Sequence, residues 1–564
     1  MSTIRAPAHL REISGSPMST TADAPVSSGP GLRRTVGFSA LMFISLGSII
    51  GSGWLLGALT AAKSAGGASI LSWVLAGVIV ILLALVHAEL GSTYPVAGGT
   101  ARYPRLAFGA VAGFTAGWVG WIQAVAIAPI EVEAALSYLD HLVHGFVDDN
   151  GNLTGLGLVV AAALMVVFTL INLAGVALLA ETNRITVLWK IAIPVLTVIV
   201  LIFVAFHGSN FTAGGGFAPY GAHGVFAALP LGVVFALQGF EQAAQMGGEA
   251  RDPQKDLPRA LIGAVALGVV IYLALEVAFV GALDPAALAT GWENPIGEGD
   301  FGPYVTIAGA LGLTWLSILL YVDAFISPAG TGLVYVATSA RLSYALGQTG
   351  FAPKGLAKIS RRGIPWVSTL VAFVVGLISF APFPSWQSLV SLVTSATVIM
   401  YGFAPLTLAA LRKVDPDRPR PYRMPAATVI APLSFIAANE IIYWSGWTTD
   451  WKLAVAIVIG FVLFAAYRAF RASREGLAFF GADLQLRSLG WILPWLGGIL
   501  VISALGQYDG AEIIPEWIDL LAVAVWSLVI FYLAVAMAMP AEEVARQVEA
   551  EASEAGAEEA ELHA

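Results

Sequence analysis

The sequence predicts an all-α, polytopic membrane protein of about fourteen transmembrane helices, on three observations. Hydrophobic residues make up 58% of the 564 and charged residues only 12%, with a mean hydropathy of +0.80, far outside the range of soluble domains. Apolar runs of the roughly 20 residues that a hydrocarbon core about 30 Å thick requires fill most of the chain. Lys and Arg gather in alternate connections between those runs.

The predicted spans cover residues 37–60, 67–90, 109–139, 156–179, 185–206, 223–247, 260–283, 305–340, 366–380, 388–411, 429–447, 453–467, 489–504 and 518–538. Residues 1–34, rich in Ser, Pro and Gly and without the short apolar core of a cleavable signal, read as a disordered cytoplasmic leader. Residues 412–428 read as a cytoplasmic loop and 429–538 as four peripheral helices. Residues 539–564 read as an acidic cytoplasmic tail that holds much of the formal charge of -9 and, being solvated, implies no basic partner.

With the N-terminus inside, the connections after spans 2, 4, 6, 8, 10 and 12 face the cytoplasm. Of 28 basic residues, all but Lys63 and Lys452 fall in the tails, in these connections or at adjoining helix ends, among them Arg102, Arg105, Arg251, Arg361, Arg362, Arg412, Arg418 and Arg423. A missed span would scramble every later loop, so the asymmetry tests the count together with the orientation. Tyr443, Trp444, Trp447 and Trp451 form part of an aromatic belt. A multi-pass protein of the cell membrane with both termini in the cytoplasm is expected, in contact with lipid and not with nucleic acid. Oligomeric state is not legible.

Two spans are interrupted. Span 1 carries Gly47-Ser48-Ile49-Ile50-Gly51-Ser52-Gly53, whose glycines and serines weaken the helix and admit close approach. Span 6 carries Gln238-Gly239-Phe240-Glu241, with a carboxylate that lipid would not tolerate unless it faced a cavity or a partner. Alone, Gly47 and Gly51 could be a small-residue packing face. Interruptions at corresponding positions of two five-helix halves instead point to a carrier with a midplane site, where half-helix ends and unpaired backbone groups bind the carboxylate and ammonium of a solute. The expected substrate contacts are Ser48, Ile49, Gly51, Ser52, Gly53, Gln238, Gly239, Phe240 and Glu241.

The chain resembles the amino acid-polyamine-organocation permeases. The resemblance rests on the span 1 motif; on Ala88-Glu89-Leu90, Tyr94-Pro95 and Gly98-Gly99 after span 2; and on Phe235 to Glu241 running into Gly248-Glu249-Ala250-Arg251-Asp252-Pro253 and Leu257-Pro258-Arg259-Ala260. With Ser327-Pro328, Pro382-Phe383-Pro384-Ser385-Trp386 and Tyr443-Trp444-Ser445-Gly446-Trp447, it is most similar to a fourteen-helix bacterial branch that includes aspartate:proton symporters. The resemblance implies a ten-helix core over 35–411 of two inverted five-helix repeats, broken at spans 1 and 6. It implies a secondary amino acid:proton symporter working by alternating access; an exchanger of the same fold, or a sensor that binds without flux, is the alternative.

Ionisable residues inside spans are candidates for ion coupling. Lys190, six residues past Arg184, would lie about 9 Å into span 5, where its ammonium either snorkels to the headgroups or needs a carboxylate. In the family pattern Lys190 matches a span 5 lysine whose ammonium replaces a sodium ion, which implies proton coupling. Glu241, Asp323 and Glu131 are the candidate proton carriers, although Glu131 could equally be a wetted interface residue. Glu276 also falls inside a span but has no motif around it, and Glu440 reads as a helix-packing hydrogen bond. Because Lys190 is the one deep basic residue and Glu241 adds negative charge, a neutral or cationic amino acid fits the electrostatics at least as well as an acidic one.

Zero cysteines exclude disulfides, thiolate metal sites and thiol catalysis. The seven histidines (His9, His87, His141, His144, His207, His223, His563) lack metal-site spacing and read as interfacial or solvated. No phosphate-cradling Gly-Lys-Ser loop and no paired catalytic constellation occur. Neither an enzyme nor a metal or cofactor site is expected.

Overall fold

The computed structural model describes residues 36–550, apart from 97, 175, 298–301, 361–362, 384, 476–478, 480, 482–483 and the side chains of 176–184. The leader over 1–34, the tail beyond 550, His9, His563, the Arg184 side chain, Arg361, Arg362 and Pro384 therefore lie outside the described residues. Those described are almost wholly helical, with only isolated bridges, such as Val36 to Ala250.

Helices follow in the predicted order. Span 1 is two helices, 1a (Phe38–Ile49) and 1b (Gly53–Ala65), followed by span 2 (Ser69–Thr93), span 3 (Ala110–Asp140), span 4 (Gly155–Ala174) and span 5 (Val176–Ala205). Span 6 is likewise divided, into 6a (Gly221–Leu237) and a short 6b (Glu241–Gln245). Span 7 (Pro253–Ala282), span 8 (Thr314–Gln348), span 9 (Trp366–Ser379) and span 10 (Trp386–Val414) complete the second half. Span 11 (Ala427–Trp444), span 12 (Trp447–Glu475), span 13 (Leu489–Leu505) and span 14 (Glu516–Ala536) follow.

Span 2 packs along span 7 and span 3 along span 8, so corresponding members of the two halves lie against one another. Span 1a rests on span 7, and span 10 is sandwiched between spans 3 and 11. Because lipid competes with protein for apolar side chains, helix packing here leans on close approach of small residues. Val462, Leu463, Val525 and Val529, on spans 12 and 14, remain exposed, as a lipid-facing surface requires.

The structure corrects several expectations. The stretch predicted as span 8 from residue 305 is two helices, Pro303–Ala310 and Thr314–Gln348, because Gly312 turns the chain at φ +70° between two apolar segments that hydropathy cannot separate. Span 5 begins at Val176, which puts Lys190 about 21 Å along its helix. His87 is not solvated: it is fully buried, with Nδ1 2.8 Å from the Leu83 carbonyl and its ring edge-on to Phe240 and Tyr401. Residues 541–550 of the expected solvated tail are helical, and Val544 is buried.

Candidate functional site

Residues 50–52 break span 1 and leave helical hydrogen bonds unmade, each of which must find a partner when buried. The Gly47 carbonyl would normally accept from the Gly51 N–H, which bonds Ile49 O instead, at 3.2 Å. Lys190 takes the free carbonyl, its ammonium donating to Gly47 O at 2.9 Å and to Thr331 Oγ1 at 2.7 Å. The Ile49 carbonyl accepts from the Tyr272 hydroxyl at 2.9 Å. On the far side of the break the Ser52 N–H donates to Glu131 Oε2 at 2.8 Å. Both vacated ends of the helix are thus closed by charged side chains from spans 5 and 3. Lys190 and Glu131 are each 1% exposed, so Lys190 does not snorkel and Glu131 is no wetted interface residue.

Residues 238–240 break span 6 differently. Gly239 sits at φ +109°, a conformation side chains resist, and a Cβ there would lie 2.7 Å from the Ser48 carbonyl carbon. The two breaks therefore touch. The Gly239 N–H donates to Glu241 Oε2 at 3.0 Å, two residues ahead, and Tyr335 donates to Glu241 Oε1 at 3.3 Å. Tyr401 of span 10 donates a short hydrogen bond to the same carboxylate. The Phe240 carbonyl accepts from Ser45 Oγ at 2.8 Å, tying 6b to 1a.

Between the breaks lies a small pocket of about 10 Å³, room for about one water, lined by Ser48, Ile49, Gly51, Gly53, Ile127, Glu131, Phe235, Gln238, Thr331 and Tyr335. Of the predicted substrate contacts it brings together Ser48, Ile49, Gly51, Gly53 and Gln238, with Ser52 at its edge through the bond to Glu131. Gly239, Phe240 and Glu241 do not line it: they stand behind, engaged with Ser48, Tyr401 and Tyr335. Both amide atoms of Gln238 are buried there without a hydrogen-bond partner. Asp323 does not line the pocket either. It accepts from Trp54 Nε1 at 3.0 Å and Ser327 Oγ at 2.7 Å, on the flank of 1b. Glu276 accepts from Trp73 Nε1 at 2.9 Å through one oxygen, and Glu276 and Glu440 each keep one oxygen unpartnered.

Trp386 stands behind the span 1 break without lining this pocket. Its Nε1 donates to Ser52 Oγ at 3.0 Å, its ring meets Phe235 edge-on, and it also lines a cavity of about 490 Å³ shared with Leu56, Lys63 and Ser137. Thr331, Tyr335, Ile127, Trp386 and Tyr401 were missed as site residues. Their signal was partly present: Asp323, Ser327, Thr331 and Tyr335 recur every four residues, one polar face of span 8. A tryptophan at the start of span 10 carries no such mark.

The chain matches the family described as "Amino acid permease" over residues 36–464. It is 37% identical over 512 residues to a glutamate/serine transporter of Bacillus subtilis (strain 168), covering 89% of this chain and 93% of that protein. To an aspartate-proton symporter of the same organism it is 33% identical over 513 residues, 90% of this chain and 97% of the relative. A branched-chain amino acid permease of that organism is 26% identical over 459 residues, 79% of this chain and 95% of the relative.

Proposed function

The chain belongs to the amino acid permease family, and on that footing we propose that it carries an amino acid across the cell membrane by alternating access, in symport with a proton. The observation that carries this reading is the pairing of two interrupted helices around one buried pocket, its edges made of vacated backbone groups and the free amide of Gln238. Backbone N–H groups at the start of 1b suit a carboxylate, and the carbonyl end of 1a suits an ammonium. The pocket is too small for any amino acid, so binding must move the halves of spans 1 and 6 against spans 3 and 8.

Lys190 couples the proton in this reading. Its ammonium ties 1a to spans 5 and 8 through Gly47 and Thr331; losing a proton would weaken that tie, which makes protonation and the position of 1a interdependent. Glu131 is the nearest candidate to share the proton. Glu241, held by two tyrosines and its own backbone, supports the break rather than contacting substrate, and Asp323, held by Trp54 and Ser327, stands apart from it as the second candidate carrier. Serine, glutamate and aspartate are the first substrates to try, after the names of the two nearer relatives. The distribution of Lys and Arg supports a cytoplasmic location for the connections after even-numbered spans and for both termini.

The test is uptake of labelled amino acids by the purified full chain in lipid vesicles, with and without an imposed inward proton gradient. Saturable, uncoupler-sensitive accumulation supports the proposal. Uptake that requires internal counter-substrate and ignores the gradient would replace symport by exchange.

A further inference from the structure

A helix end that binds a substrate carboxylate should be free to receive one, yet in span 1 it is not. Ser52 has no side-chain cap of its own at the start of the 13-residue helix 1b, and the group accepting from its N–H is the Glu131 carboxyl of span 3. The carboxylate also presses on the break itself: a Cβ on Gly51 would stand 2.5 Å from Glu131 Oε1. Within the same small pocket the Gln238 amide is buried with neither atom bonded, a polar group aimed at a space that Glu131 borders. At the other vacated end an ammonium, that of Lys190, occupies the Gly47 carbonyl. The chain thus holds a carboxylate and an ammonium of its own where the two charged groups of an α-amino acid would be recognised.

We infer that Glu131 is an internal stand-in for the substrate carboxylate, occupying the Ser52 N–H in the closed state and leaving it when an amino acid arrives. The inference rests on the proposal that the break is the substrate site. Displacement has a local destination, because Thr331, bonded to Lys190, borders Gly51 on the same side as Glu131. The consequence is competition: an amino acid must outbid an intramolecular carboxylate for one N–H, so the measured affinity falls below the intrinsic one by the fraction of time the N–H is free. Binding and the release of Glu131 toward the Lys190 ammonium become one event. Selectivity follows too, since a ligand lacking an α-carboxylate has no means of evicting Glu131.

A residue that only supports the fold weakens binding when removed; a competitor does the reverse. The full-length protein in lipid nanodiscs, titrated calorimetrically with L-serine and L-glutamate, should bind roughly tenfold more tightly as Glu131→Ala, the size expected from loss of one charge-assisted hydrogen bond. Glu131→Gln keeps the shape and can still accept from Ser52, so it should gain less, and it carries the test if the alanine variant does not fold. Ethanolamine, which lacks the carboxylate, should show no gain in either variant. If wild type binds serine or glutamate and both variants bind equally or more weakly, the stand-in is overturned while the substrate site survives. If neither wild type nor either variant binds any amino acid, the site and the inference fall together.

Discussion

The breaks in spans 1 and 6 look alike in sequence and are closed in opposite ways. Span 1 borrows its partners: Lys190 from span 5 and Glu131 from span 3 satisfy a carbonyl and an N–H that the helix has given up. Span 6 caps itself, with Glu241 reaching back two residues to the Gly239 N–H while Tyr335 and Tyr401 brace it. Borrowed groups can withdraw without unwinding anything, whereas a local cap cannot leave while its helix persists. In the proposed cycle, span 1 is therefore where a solute trades places with protein groups, while the span 6 break keeps its own cap and presents Gln238.

The largest expected effect separates the two breaks by coupling. Lys190→Ala should abolish accumulation against a gradient, while exchange of labelled for unlabelled amino acid across the same vesicles continues. Full retention of uphill uptake would remove Lys190 from the mechanism and with it the special standing of span 1. Next is Gly239→Ala, which puts a methyl group against Ser48 at a φ of +109° and should cost about 2 to 4 kcal/mol of stability, read as a lowered Tm in detergent.

Those two sites differ in how far they were legible beforehand. The fourteen spans and the two interruptions follow from apolar length and glycine placement, which are local in sequence, whereas the place of Lys190 along span 5 was set too near the helix end because the helix begins at Val176. The start of span 8 was misread because hydropathy integrates across Gly312, whose effect is a backbone turn with no change of polarity. Glu131 was legible as an acid inside span 3 but not as a buried one, because its bond to Ser52 joins residues 79 apart, and no spacing rule reaches that far. His87 was misplaced for the same reason: its ring packs on residues of spans 6 and 10 that the sequence does not bring near it. The face of span 8 that carries Thr331 and Tyr335 lay within reach of the helical period.

A smaller effect sharpens the contrast from the span 6 side. Tyr401→Phe takes one donor from the buried Glu241 carboxylate and should lower stability by about 1 to 3 kcal/mol, seen as an earlier thermal transition. A Tyr401→Phe protein with unchanged stability and altered proton coupling would instead place Glu241 among the exchangeable groups, and the distinction between the two breaks would collapse. The smallest expected change is in Gln238→Ala. Because this amide makes no hydrogen bond within the protein, its loss should leave Tm nearly unchanged, yet it should raise KM roughly tenfold if it binds substrate through one or two hydrogen bonds.

The most direct test is an experimental structure of the chain with L-serine or L-glutamate bound. The predicted result is an amino acid between spans 1 and 6, its α-carboxylate within hydrogen-bond distance of the Ser52 N–H and Glu131 withdrawn from it. An amino acid bound elsewhere, with Glu131 still on Ser52, would contradict the assignment of the span 1 break as the place where substrate is exchanged for protein.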